Sequence, residues 1–123
     1  MTTIKRAIDD LFNNPRLTTT EALERHFDPG FRQRVNGDWV EYSAFQARMD
    51  HLRSIVDQAT ITIYDELFVG SHYAERHMID LCMRDGERVL QEVYLFAQLG
   101  HDGRFRKIEE VTLALPTQAG GCR

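Results

Sequence analysis

The chain has 123 residues, of which 42% are hydrophobic and 10% aromatic, enough for one packed core and too many for a disordered polypeptide. Its net charge of −4 and its dispersed arginines argue against nucleic acid as a partner, because phosphate binding needs a concentrated positive field. No apolar run approaches the roughly 20 residues of a membrane span, and the first residues lack a signal-peptide pattern, so we expect a cytoplasmic protein with no membrane partner.

The first half of the chain predicts three helices. Ile4, Ile8 and Leu11 recur at the spacing of one helix face, and Pro15 ends that pattern. A second helix opens at TTTE, whose first threonine and final glutamate have the spacing of a capping box. The segment FRQRVNGDWVEY predicts a short hairpin with a turn at Asn-Gly. A third helix follows, with a buried stripe formed by Phe45, Met49, Leu52 and Val56.

The second half predicts four strands. The segments QATITIYDELFVG, HYAERHMIDLCM, RVLQEVYLFAQL and RFRKIEEVTLAL are rich in β-branched and aromatic residues. Asp85-Gly86 and Asp102-Gly103 separate the last three, which is a strong hairpin signal. Helices followed by a meander indicate an α+β fold with the helices on one face of the sheet. We expect one domain over residues 1–123, with a disordered tail over 117–123.

Two-residue turns at both Asp-Gly pairs would fix which side chains share a face. Arg76 would then lie opposite Leu95, and Leu95 opposite Glu110. The neighbouring rows on that face would hold Met78, Val93 and Thr112; Ala97 and Ile108; and Asp80 and Gln91. A bulged turn at Gly103 would slip the register by one residue and exchange the faces of the last strand.

Glu109 and Glu110 are adjacent in a strand and must point to opposite faces. On the face described above, Glu110 would lie near Arg76 among apolar neighbours. Burial would raise its pKa and the arginine would favour its charged form. Two interpretations stay open at this point, a poised acid that moves protons and a structural Arg76–Glu110 ion pair that braces the sheet.

Both faces of the predicted sheet carry apolar side chains, but three helices can cover only one. We therefore expect a homodimer through the outer face, although an ordinary solvent-facing sheet is the alternative. The residues assigned to that interface are Leu81, Leu90, Phe96 and Leu113.

Cys82 lies in an apolar strand and Cys122 in a glycine-rich tail, a pattern that indicates neither a disulfide framework nor a metal site. The five histidines show no HxH or HExxH spacing, so no metal is expected. No glycine-rich phosphate loop occurs, so no cofactor is expected either.

The motifs HFDPGFRQRVNGDWVEYSAFQARMDHLR, FVGSHYAERHMI and HDGRFRKIEEVT resemble segments of the nuclear transport factor 2-like superfamily, especially its SnoaL-like polyketide cyclase branch. The resemblance covers nearly the whole chain. It implies a cone-shaped α+β fold, with three N-terminal helices packed on a curved, mainly antiparallel sheet around an apolar pocket. Members of the superfamily include ketosteroid isomerase, small polyketide cyclases and binding modules, so the fold alone gives no function.

The resemblance also bears on individual positions. The isomerase-type base falls at or near Arg34, and an arginine stays protonated near neutral pH. The second isomerase acid falls near Leu95, which has no proton to give, so the known steroid-isomerase route is not expected. The cyclases use a pocket carboxylate as acid and base, and Glu110 and Asp80 are the candidates on the predicted pocket face.

The sequence therefore predicts a pocket for a small hydrophobic molecule and cofactor-free cyclisation or isomerisation of a carbonyl compound. Its alternative is a non-catalytic ligand-binding or structural dimeric module, so whether the chain is an enzyme stays open. The predicted catalytic residues are Glu110, Arg76 and Asp80, with Arg34 and Arg76 binding an anionic oxygen. The predicted pocket residues are Arg34, Trp39, Met78, Val93, Leu95, Ile108 and Thr112.

Overall fold

A computed structural model of the chain describes residues 2–117 and 121–122. Its elements in chain order are α1 (Ile4–Phe12), α2 (Thr19–His26), β1 (Phe27–Val35), β2 (Asp38–Glu41), α3 (Tyr42–Ile55), β3 (Val56–Val69), β4 (His72–Met83), β5 (Arg88–Leu99) and β6 (Phe105–Leu115). The strands form one sheet in the order β2-β1-β6-β5-β4-β3. Neighbouring strands are antiparallel except β1 and β6, which are parallel. The predicted α+β class is confirmed.

Side-chain caps begin the first two helices, and the second of them is the capping box that the sequence predicts. The Thr3 side chain accepts a hydrogen bond from the backbone of Arg6. Thr18 and Glu21 form a reciprocal capping box at the start of α2. These bonds satisfy backbone N–H groups that a helix start otherwise leaves without partners.

The core lies between the helices and one face of the sheet, which we call the inner face. Phe27 and Phe31 on β1 pack against Phe45 on α3, with ring centroids 4.7–5.1 Å apart. Phe105 joins this cluster from β6 and is fully buried. The cluster fixes where the helices sit on the sheet, because large buried aromatic side chains dominate core packing.

The β5–β6 register is the one predicted, although the turn between these strands is longer than expected. Gly103 donates its backbone N–H to the Gly100 carbonyl and has φ 79°, so one more residue lies in the turn than in a two-residue hairpin. A shift between Gln98 and Leu99 then offsets the extra residue. Leu95 consequently lies opposite Glu110, as expected.

The β4–β5 register differs from the prediction by one residue. Gly86 donates to the Met83 carbonyl at φ 92°, the same longer turn, and no bulge compensates for it in the β4–β5 pairing. Arg76 therefore lies opposite Tyr94 rather than Leu95. Because a one-residue slip turns every side chain of a strand to the other face, the predicted assignment of β4 is reversed.

Cys82 and Cys122 form a disulfide across 40 residues of sequence, so the interpretation that their pattern indicates no disulfide was wrong. Cys122 also donates its backbone N–H to Gly86 in the β4–β5 turn. Residues 118–120 and 123 of the expected disordered tail lie outside the described residues. The pairing follows from tertiary contact that no local pattern encodes. Since disulfides persist mainly in oxidising compartments, it does not support the expected cytoplasmic location.

Within residues 2–117 and 121–122, none of the helices has the length and apolar character needed to cross a membrane.

Candidate functional site

A cavity of about 180 Å³ lies between the helices and the inner face of the sheet. Apolar side chains from α1, α3 and strands β4 to β6 form most of its wall. Its polar lining residues are Gln33, Arg48, His77, Gln91, Glu110 and Thr112. An apolar cavity with a few polar groups is the usual form of a small-molecule site.

Glu110 reaches the cavity from β6. The Nε2 of Gln33 on the neighbouring strand β1 donates a hydrogen bond to its Oε1. Burial raises the pKa of Glu110 above its ordinary value, while Gln33, His77 and Arg48 act in the opposite direction. A carboxyl of this kind holds its proton to a higher pH than an exposed one and can serve as an acid.

Gln33 is itself buried, and its Oε1 has no hydrogen-bond partner among the described residues. A buried acceptor without a donor costs free energy. Gln33 also lines the cavity, so its free oxygen is a polar group that a donor on a ligand could satisfy.

His77 and Glu75 form a buried pair on β4. The Nδ1 of His77 lies 2.7 and 2.8 Å from the two carboxylate oxygens of Glu75. Their side chains are only 4% and 0% exposed. Burial raises the pKa of Glu75, and the histidine acts against that rise. Because Glu75 occupies Nδ1, Nε2 is the nitrogen of His77 that a ligand could use.

The strand register brings these groups together. Glu75, Leu95 and Glu110 form one row across β4, β5 and β6, and His77 lies in the adjacent row with Val93. Glu75 and Glu110 are two strands apart, about 10 Å between backbones. Their side chains both project to the inner face, with His77 beside them. The result is a group of three titratable side chains on the inner face, two of which, His77 and Glu110, line the cavity.

Five predicted site residues lie at this cavity. They are Glu110, Val93, Leu95, Ile108 and Thr112, all on β5 or β6, where the register was predicted correctly.

The three β4 residues assigned to the pocket lie on the outer face instead. Arg76 binds Asp65, with Nε 3.0 Å from Oδ2, and no Arg76–Glu110 pair exists. Asp80 is paired with Arg88 at 2.6 Å. Met78 shares this face because it lies between them at strand spacing. The longer turn at Gly86 is the reason for all three corrections.

Arg34 and Trp39 also lie away from the cavity. Arg34 is 3.8 Å from Glu109, which points outward. Trp39 on β2 is 42% exposed and stacks under the guanidinium of Arg32 at 4.4 Å. Neither can bind an oxygen of a ligand in the cavity, so the predicted oxyanion role of Arg34 and Arg76 is wrong.

Sequence reasoning missed Glu75, His77, Gln33 and Arg48. For β4 a signal existed. Tyr73, Ile79 and Leu81 recur at strand spacing on one face, while the other face carries Arg76 and Asp80, which favours placing the first face, with Glu75 and His77, on the inner side of the sheet. His77 was instead assigned to the outer face. Nothing in the sequence distinguished Gln33 or Arg48 from other polar residues.

Among the residues that the structure describes, no group of three or more His, Cys, Asp or Glu side chains is arranged to hold a metal ion.

No protein-family model matches the sequence, and no curated protein matches it. Solved structures do match in fold. An LEH-like epoxide hydrolase of M. tuberculosis superposes with a TM-score of 0.71 at 12% identity, over 89% of this chain and 79% of that one. IdmH of Streptomyces antibioticus, a proposed polyketide cyclase, gives 0.68 at 12% identity, over 89% and 88%.

A third match is a hypothetical protein with a ketosteroid isomerase-like fold from Catenulispora acidiphila, in complex with trimethylamine. Its TM-score is 0.66 at 7% identity, over 97% of this chain and 87% of that one. The chain therefore has the nuclear transport factor 2-like fold, which the sequence motifs predicted. Identities this low establish the architecture, and the chemistry has to be argued from the cavity.

Proposed function

We propose that the protein binds a small hydrophobic carbonyl compound in the cavity and catalyses a cofactor-free proton transfer on it. The observation that carries this proposal is the placement of Glu110 and the Glu75-supported His77 on the wall of one apolar cavity. Two proton-exchanging groups with different surroundings are the arrangement that acid–base catalysis uses.

In this mechanism His77 is the base and Glu110 is the acid. Nε2 of His77 removes a proton from the carbon next to the carbonyl group, the electron pair of that C–H bond forms a C=C bond, and the π pair of the C=O bond moves onto the oxygen. Glu110 donates its proton to that oxygen, which forms an enol. Where the enol is a conjugated dienol, return of the proton from His77 at another carbon, with the hydroxyl proton going back to Glu110, gives isomerisation. Attack of the enol carbon on a second carbonyl, whose oxygen takes the proton from His77 while the enol hydroxyl returns its proton to Glu110, gives cyclisation. Glu75 stabilises the imidazolium, since its carboxylate accepts the Nδ1–H.

The direct test is hydrogen–deuterium exchange at carbon, which needs no knowledge of the natural product. Cyclohexanone and phenylacetone in D₂O with the protein should exchange their α-protons faster than without it, as measured by NMR. Glu110→Gln should lower the protein-catalysed rate about 100-fold or more, because positioned acid–base groups contribute roughly 10²–10⁴-fold.

Glu109→Gln is the matched control, since Glu109 is adjacent in sequence but faces Arg34 and Lys107 on the outer side. It should leave the exchange rate unchanged. Equal rates for wild type and Glu110→Gln would overturn the catalytic proposal. The second candidate, a binding module, is favoured by the Gln33 bond that already partly satisfies Glu110, and it would then be supported if the ketones bind without exchanging.

We also propose that two copies pair through the outer face. Tyr94, Phe96, Val111 and Leu113 form an exposed patch on β5 and β6, and Phe96 and Leu113 are 72% and 60% exposed. Contiguous apolar surface of this kind marks interaction sites. Charges of both signs border the patch, including Arg76, Asp65, Lys107 and Glu109, which suits the self-complementary contact of a two-fold dimer.

Leu81, one of the four predicted interface residues, lines the cavity on the inner face, so its assignment to the outer interface is corrected.

Phe96→Glu should convert the dimer to a monomer, measured as molecular mass by light scattering after size-exclusion chromatography. His51→Glu, at an exposed position on α3 on the opposite side of the sheet, should leave the dimer intact. A monomeric wild type at micromolar concentration would contradict the proposal.

A further inference from the structure

Arg48 on α3 differs from the other lining residues of the cavity. Among the described residues it is the one Lys or Arg side chain in the lining, and it is also exposed to solvent. Phe45, Met49 and Leu52 of the same helix line the apolar interior. Arg48 therefore stands where the cavity opens to water.

The guanidinium of Arg48 makes no hydrogen bond or ion pair with any side chain of the described residues. By contrast, Arg34, Arg76, Arg88 and Arg104 are each paired with a carboxylate. Its charge reaches the site, because it is one of the groups that lower the pKa of Glu110. An unpaired cation at the mouth of an apolar cavity is suited to a ligand with an anionic end.

We propose that Arg48 selects small carboxylic acids, with the apolar body in the cavity and the carboxylate on the guanidinium at its mouth. This inference rests on the proposed function, since it names the substrate class of the same site. A cavity of 180 Å³ fits a body about the size of one six-membered ring, because an apolar cavity of about 150 Å³ holds a benzene molecule. The substrate is thus an amphipathic acid whose carbonyl-bearing carbons lie near Glu110 and His77.

The chemistry favours a carboxylate over a neutral polar end. The interior of the cavity is lined mainly by apolar side chains, so a carboxylate buried there would lose its hydration, whereas at the exposed Arg48 it keeps contact with water and gains a countercharge. This fixes one orientation, with the apolar end inward. A neutral amide of the same shape has no such preference.

The test compares 3-phenylpropanoate with 3-phenylpropanamide by isothermal titration calorimetry at pH 7 and low salt. Wild type should bind the acid about fivefold or more tightly than the amide, the size expected for one partly exposed charge-assisted contact. Arg48→Gln should bind both with the affinity that wild type has for the amide. Arg34→Gln removes the same charge from the outer face and should keep the preference for the acid.

The outcomes separate this inference from the proposed function. Equal binding of acid and amide by wild type, or a preference that persists in Arg48→Gln, would overturn the role of Arg48 while leaving the catalytic proposal standing. A preference lost in Arg48→Gln, together with no α-proton exchange on any ketone, would support Arg48 and remove the catalytic proposal.

Discussion

His77→Leu is expected to destabilise the protein by about 3–5 kcal/mol at pH 7, because it leaves Glu75 buried without its partner. Unfolding in urea, followed by circular dichroism, measures the free energy of unfolding. The loss should shrink below pH 4.5, where Glu75 can be neutral in both the folded and unfolded states. The effect should exceed that of an ordinary substitution, which costs about 1 kcal/mol.

The double variant Glu75→Leu/His77→Leu tests whether the loss of stability comes from the unpaired carboxylate or from altered packing at this position. Replacing both partners of a buried pair by apolar residues is often neutral or stabilising, so this variant should recover most of the lost stability. His72→Leu is the control on the same strand, because His72 is exposed. If the double variant were as unstable as His77→Leu, the cost would come from packing and not from the unpaired carboxylate.

The sequence predicted the fold well because its signals are local and repeated. Helical spacing, the Thr18 capping box and the β-branched and aromatic content of the strand segments each point to the same arrangement, and the structure agrees with them. The motifs that resemble the superfamily add the cone-like architecture. Neither kind of signal depends on the exact length of a turn.

The candidate site depended on turn length and was therefore predicted only in part. Glu110 was placed correctly because the extra residue in the β5–β6 turn is offset by a bulge. The extra residue in the β4–β5 turn is not offset, so the predicted faces of β4 are reversed. Glu75 and His77 point inward, and Arg76 and Asp80 point outward. Asp-Gly permits both two- and three-residue hairpin loops, and the dipeptide alone does not choose between them.

The register also explains why Glu110 has no paired arginine. With Arg76 inward, Glu110 would have had a permanent countercharge and little reason to hold a proton. With the observed register, the inner face carries the buried His77–Glu75 pair instead, and Glu75 holds the ring through Nδ1. One residue in a turn thus decides which polar side chains of β4 reach the cavity.

Glu110→Gln is expected to stabilise the protein above pH 4.5. The folded-state pKa of Glu110 is raised above the ordinary value of 4.5, so its contribution to stability is fully present below that pH and is lost as the pH rises through the folded-state pKa. Glutamine stays neutral throughout and supplies an N–H that can serve the unpaired Oε1 of Gln33. The gain at high pH should be about 1.4 kcal/mol for each unit by which the pKa is raised.

Thermal unfolding from pH 4 to pH 8 measures this difference. The melting temperatures of wild type and Glu110→Gln should coincide near pH 4 and diverge as the pH rises, with the variant higher. Glu109→Gln, on the outer face, should follow wild type at every pH. The groups that face Glu110, namely His77, Arg48 and Glu75, are present in both proteins, so the comparison isolates the change at position 110. A Glu110→Gln variant that is less stable than wild type at pH 7 would mean that the carboxylate is held as a structural charge, and the cavity would then lack its acid.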